Sequence, residues 1–175
     1  MNTADVIEAL RVKLSTAGGR HLYGVLGTYP KLEAFGRELA RTKTREGVPF
    51  PAPLSVNRGI LDAIPDEEFR RLVEDEAKRP EPTAAHVAQA FERFLRAALK
   101  EHLLVVLANM EVLFAYHMEL NLLRTLATDE QRLVLLLPAR REAGRVLLYP
   151  DTVTGETQAG LPSNLIASDH LWELT

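Results

Sequence analysis

The segment Gly27-Thr-Tyr-Pro-Lys31-Leu32 sets a glycine and a lysine between a short apolar run and a helical pattern. That is the place, and part of the composition, of a phosphate-binding loop. A working loop follows G-x-x-x-x-G-K-[ST]: glycines let consecutive backbone N–H groups wrap the phosphate, lysine supplies charge, and the hydroxyl reaches magnesium. Here the loop is short, Pro30 removes a backbone donor, and Leu32 stands where the hydroxyl residue belongs. As a bare pattern the segment is an ordinary strand-to-helix turn.

A second candidate is Leu103-Leu-Val-Val-Leu-Ala108-Asn109-Met110-Glu111. An apolar strand that delivers a carboxylate at its tip, the Walker B pattern, holds magnesium in nucleotide-hydrolysing proteins. Ala108 occupies the aspartate position, and Asn109 and Glu111 follow it. Glu111 is placed to act on water, to hold an arginine, or simply to cap a helix at the surface. Arg124, Arg132, Arg140, Arg141 and Arg145 fall close together and are offset by Asp129, Glu130 and Glu142. They read mainly as a solvated face, with Arg140 and Arg141 the candidates for an anion or partner contact.

Other chemistries lack their residues. His21, His86, His102, His117 and His170 show no ligand spacing, so no metal site is expected. There is no G-x-S-x-G elbow, and Ser55, Ser163 and Ser168 have no nearby catalytic partners in sequence. The absence of cysteine removes disulfides, thiolate metal sites and a thiol nucleophile together, and it suits a reducing compartment.

These candidates need elements to position them. The chain has 175 residues, 46% hydrophobic and 26% charged, which is one domain with room for a core. A net charge of -3 and a pI near 6.0 give no global attraction to nucleic acid or anionic membrane. Asp5, Glu8, Arg11 and Lys13 interrupt the N-terminal apolar positions, so no signal-peptide core is expected there. The longest apolar run, 103–108, is too short to span a bilayer, and the expected location is cytoplasmic.

Val6, Ile7, Leu10 and Leu14 recur at helical spacing, as do Leu32, Phe35 and Leu39. Pro49, Pro51 and Pro53 make 42–53 an extended linker within the single domain. Residues 54–64 read as a short strand followed by helix, and Pro65 opens a helix to about residue 78. Thr83 is placed to cap a helix with Val87, Phe91, Phe94, Leu95 and Ala98 on one face. A short helix over 119–128 follows. Unbroken apolar runs at 21–27, 103–107 and 132–137 read as buried strands, with weaker ones at 145–149 and 165–168. Strands alternating with amphipathic helices predict an α/β domain with a mostly parallel sheet covered on both faces. Gly27, Ala108 and Leu137 then end at one edge, where such proteins put ligands.

The order of these pieces resembles the small P-loop protein of BREX (bacteriophage exclusion) defence systems. The correspondence runs through Leu54-Ser55, Val106-Leu-Ala-Asn-Met-Glu-Val-Leu-Phe114, Glu119-Leu-Asn-Leu-Leu-Arg-Thr-Leu126, the run 133–137 and Gly144-Arg-Val-Leu-Leu-Tyr149. The resemblance implies a three-layer P-loop NTPase-like, AAA-like domain in an anti-phage setting, beside a large ATPase, a methyltransferase and a phosphatase-like subunit. It assigns Gly27 and Lys31 to a vestigial nucleotide loop and Asn109 and Glu111 to a Walker-B-like tip. The family's second loop glycine, its Ser/Thr and its Walker B aspartate are missing here. Losing about three charge-assisted bonds of roughly 1.5–3 kcal/mol each removes roughly three to six decades of affinity. The expectation is therefore a non-catalytic assembly protein without a cofactor, contacting a larger defence subunit or itself. Two alternatives carry different chemistry: an ATP- and magnesium-dependent NTPase using Lys31, Glu111 and Arg140, or an accessory domain contacting nucleic acid through the arginines.

Overall fold

The computed structural model describes residues 1–76, 80–149 and 160–175. Helix α1 (Thr3–Leu14) is capped by the Asn2 side chain, which accepts from the Asp5 N–H, and buries Val6, Ile7, Leu10 and Leu14. Strand β1 (Leu22–Gly27) is buried along its whole length and leads into α2 (Tyr29–Leu39). Strand β2 (Leu54–Ser55) passes directly into α3 (Val56–Ala63), whose N-cap is Ser55. Then come α4 (Asp66–Glu76), α5 (Pro80–Glu101), β3 (Leu104–Ala108), α6 (Glu111–Ala115), α7 (Asn121–Leu126), β4 (Arg132–Glu142), β5 (Arg145–Leu148) and β6 (Leu171–Glu173).

The main sheet has the order β2-β3-β4-β1-β6, every pair parallel, and β5 pairs antiparallel with the outer half of β4. The runs expected as central strands are thus neighbours. Their side chains alternate between two cores. Leu22, Leu26, Leu133, Leu135 and Leu137 point to the side of α3 to α7. Tyr23, Val25, Val134 and Leu136 point to the side of α1 and α2. A strand buried on both faces has no polar face to show, which is why these runs read as continuously apolar. The chain crosses from β1 to β2 on the α2 side, and from β2 to β3 on the other. Right-handed crossovers in opposite directions along a sheet require that change of face.

Several expectations need correction. Residues 165–168 form no strand: they lie in a turn where the Leu165 N–H donates to the Pro162 carbonyl, and consecutive Leu165 and Ile166 are both buried. The i to i+3 bond closes a turn, which leaves no extended backbone for strand pairing; the last strand is β6 instead. Thr83 is no cap, because α5 already runs from Pro80; prolines in a first turn forfeit no helical hydrogen bond. The helix expected over 119–128 is trimmed to α7, and α6 precedes it unannounced. The segment 145–149 folds back on β4 through Ala143 and Gly144, both at positive φ, rather than joining the parallel sheet. Within 42–53, Lys43 and Pro49 form an antiparallel bridge around a turn, and only the following residues run extended into β2.

Helices α3 and α5 pack together at Gly59, where a Cβ would lie 2.3 Å from two atoms of the Phe94 ring. Glycine is required there for space.

Candidate functional site

The parallel register brings the predicted residues to one edge. Gly27 lies opposite Pro138, Leu107 opposite Leu135, and Ser55 opposite Ala108. The connection from β1 to α2 is the single residue Thr28, which takes the N-cap position without a side-chain cap bond, and Pro30 sits in the first turn. One residue cannot wrap a phosphate, so Gly27 ends a strand and Lys31 projects from an ordinary helical turn. Lys31 is exposed and has no ion pair among the described residues.

Glu111 opens α6 and is half-buried. Its Oε1 accepts from the Tyr29 hydroxyl at 2.7 Å, and its Oε2 accepts from Asn57 Nδ2 at 2.6 Å. Asn57 Oδ1 in turn accepts from the Val112 N–H at 3.1 Å. The Asn57 N–H donates to the Asn109 carbonyl at 2.9 Å. This network joins the start of α2, the start of α3 and the turn after β3. Asn109 carries that turn at φ 52, a left-handed conformation asparagine tolerates. Its own Nδ2 stands 3.5 Å from Ser55 Oγ.

Burial, then the hydrogen bond to Glu111 and its negative charge, hold the Tyr29 hydroxyl well above the usual tyrosine range. Burial and the same carboxylate push Tyr149 up as well. The Tyr149 ring stacks on Tyr29 at 6.5 Å and meets Phe114 edge-on at 5.5 Å. At neutral pH both phenols are therefore protonated, and Tyr29 is a donor facing a carboxylate.

The arginines divide. Arg140 lies on the exposed outer half of β4 and forks onto Glu142 Oε2 at 2.9 and 3.2 Å. Arg141 reaches back to β6: its Nη2 donates to the Leu171 carbonyl at 2.6 Å, tying β4 to β6 past the intervening β1. Glu111 is thus held by Tyr29 and Asn57 rather than by an arginine. Gly27, Thr28, Lys31, Arg140, Tyr149 and Glu173 surround a cavity of about 380 Å3. A larger cleft, about 600 Å3, opens on the other side of Tyr29 against α2.

Sequence reasoning missed Tyr29, Asn57 and Tyr149. Tyr29 was visible only as a residue inside a failed loop pattern, and Asn57 only as a polar residue two after the Ser55 cap. Among the described residues, no group of three or more His, Asp or Glu side chains is arranged to hold a metal ion, and no helix is long and apolar enough to cross a membrane. No family model matches the sequence, and no curated protein or solved structure is significantly similar to it.

Proposed function

We propose that this chain is a non-hydrolysing, P-loop-like assembly protein, of the kind found in BREX anti-phage systems, that works through protein contacts. The observation that carries the reading is the Tyr29–Glu111 hydrogen bond. It joins the start of α2, just past the would-be phosphate loop, to the start of α6, just past the would-be magnesium strand; on this reading it stands where a nucleotide's phosphates would go. Ala108 in place of a carboxylate and the one-residue turn at Thr28 support the same conclusion.

The strand order supports the three-layer scaffold. Counting parallel strands along the chain it reads 2-3-4-1-5, which is neither of the common doubly wound orders, 3-2-1-4-5-6 and 2-1-3-4-5. One strand separates the loop strand from the carboxylate-position strand, as in AAA-like P-loop domains. A scaffold of this kind, without phosphate chemistry, has its strand-tip surface available for a partner, and Arg140 is one of the exposed charges there.

A second reading, an NTPase with an unusual loop, is favoured by one feature: Lys31 and Arg140 line the 380 Å3 cavity beside Gly27. The two arginines provide a test of the first. Arg140→Glu is expected to abolish co-purification with the products of neighbouring defence genes, or self-association in sedimentation velocity, with an unchanged melting temperature. Arg141→Gln removes an internal bond and lowers stability by about 1–2 kcal/mol instead. Normal association of folded Arg140→Glu contradicts the proposed surface.

A further inference from the structure

Helix α2 and the sheet edge enclose the 600 Å3 cleft, whose volume is that of a small-molecule site. It exists because the facing residues are small. Ala40 lines it from the helix, and Ala52 and Ala108 from the opposite wall, over a floor that includes Leu32, Leu136 and Pro138. Gly36 lets the helix lie against Pro53, since a Cβ there would come 2.8 Å from the proline ring. The lining reaches from Tyr29 to Ala40, roughly 16 Å along the helix at about 1.5 Å per residue. The space is extended along α2.

Its charges are confined to the rim. Glu33 and Arg37 neutralise each other through a 2.5 Å ion pair. Arg41, one turn beyond Arg37, has no carboxylate partner among the described residues and leaves one uncompensated positive charge at that end. The end near the strand tips offers neutral groups, Tyr29, Ser55 and Asn109. An apolar trough with one free guanidinium fits an elongated amphipathic anion: an apolar body along α2 and a carboxylate on Arg41.

We propose that this cleft binds a small amphipathic carboxylate, with Arg41 as the charge-recognising residue. Tyr29 closes one end of the cleft, but Arg41 lies at the other, so the proposal stands or falls independently of the nucleotide question.

Octanoate and octan-1-ol are the probes, titrated into the 15N-labelled full chain with amide shifts as the readout. Octanoate is expected to shift residues of α2, Ala52 and Ala108, and to bind about tenfold more tightly than the alcohol, the margin of one charge-assisted contact. Arg41→Gln, an exposed change, should bring the two ligands level. Ala40→Leu, which fills the trough, should remove both. Equal affinity for acid and alcohol in the native chain overturns the proposal. So do octanoate affinity undiminished in Arg41→Gln, shifts confined to another surface, or no shifts at millimolar ligand. Because Arg41→Gln leaves the core untouched, the test survives even if Ala40→Leu fails to fold.

Discussion

Tyr29 and Glu111 come from segments more than eighty positions apart, yet they make the contact on which the functional reading depends. A carboxylate that accepts from both a phenol and an amide is oriented on two sides, so little of it remains for a metal or an attacking water. Replacing Tyr29 by Phe deletes one of these bonds and keeps the ring against Tyr149. The expected loss is about 1 kcal/mol, the net worth of a partly exposed hydrogen bond, measured by urea unfolding. A neutral result would mean that the contact is incidental. His21 gives a pH signature. It is buried in contact with the Tyr23 hydroxyl at 2.6 Å, and desolvation, followed by the charge of Arg132, holds its imidazole below the usual histidine range. The unfolded chain therefore binds the proton more readily than the folded one. Stability from this group is complete above about pH 6.5 and declines as pH falls through the folded-state value. Native protein should lose more stability than His21→Gln between about pH 7 and pH 5; parallel curves would exclude His21 as the source.

Elements were legible where their signal was local and regular. The apolar runs in β1, β3 and β4 could hardly be anything but buried strands, and the stripe through Val87, Phe91 and Leu95 specified one face of α5. Illegible were the pieces defined by what they pack against. Helix α6 has only five residues and no side-chain cap bond, so nothing in its sequence announces it. Strand β6 has three residues and is held by pairing with β1 and by bonds such as that from the Leu174 N–H to the Leu26 carbonyl. Short elements of this kind derive stability from tertiary contact rather than propensity. The α3–α5 packing shows the same dependence in a testable way. In an exposed helix Gly→Ala is favourable by up to about 1 kcal/mol. At Gly59 the added methyl meets the Phe94 ring, so Gly59→Ala should destabilise by about 1–3 kcal/mol. Combining it with Phe94→Leu should recover part of that loss. A stabilised Gly59→Ala would mean that the helices separate freely.

At the scale of the molecule, the parallel sheet gathers Gly27, Asn109, Glu111, Arg140 and Lys31 at one edge, as alternating strands and helices led one to expect. What that edge does with them was not legible, because it depends on side chains meeting across the sheet. Tyr29 closes onto Glu111, Arg140 forks onto Glu142, and Arg141 is spent on the β4–β6 junction. The local sequence indicated that a working phosphate-loop pattern is absent; only the fold reveals that Tyr29, beside that turn, meets Glu111. On the proposed reading, the place where a nucleotide would sit is bridged by the Tyr29–Glu111 contact. Isothermal titration of the full chain with Mg-ATP tests that claim most directly. The account predicts no binding heat corresponding to a Kd below roughly 100 μM, given the decades of affinity lost with the loop and the carboxylate. A low-micromolar Kd would contradict it and make the chain a nucleotide-binding protein with an unfamiliar loop.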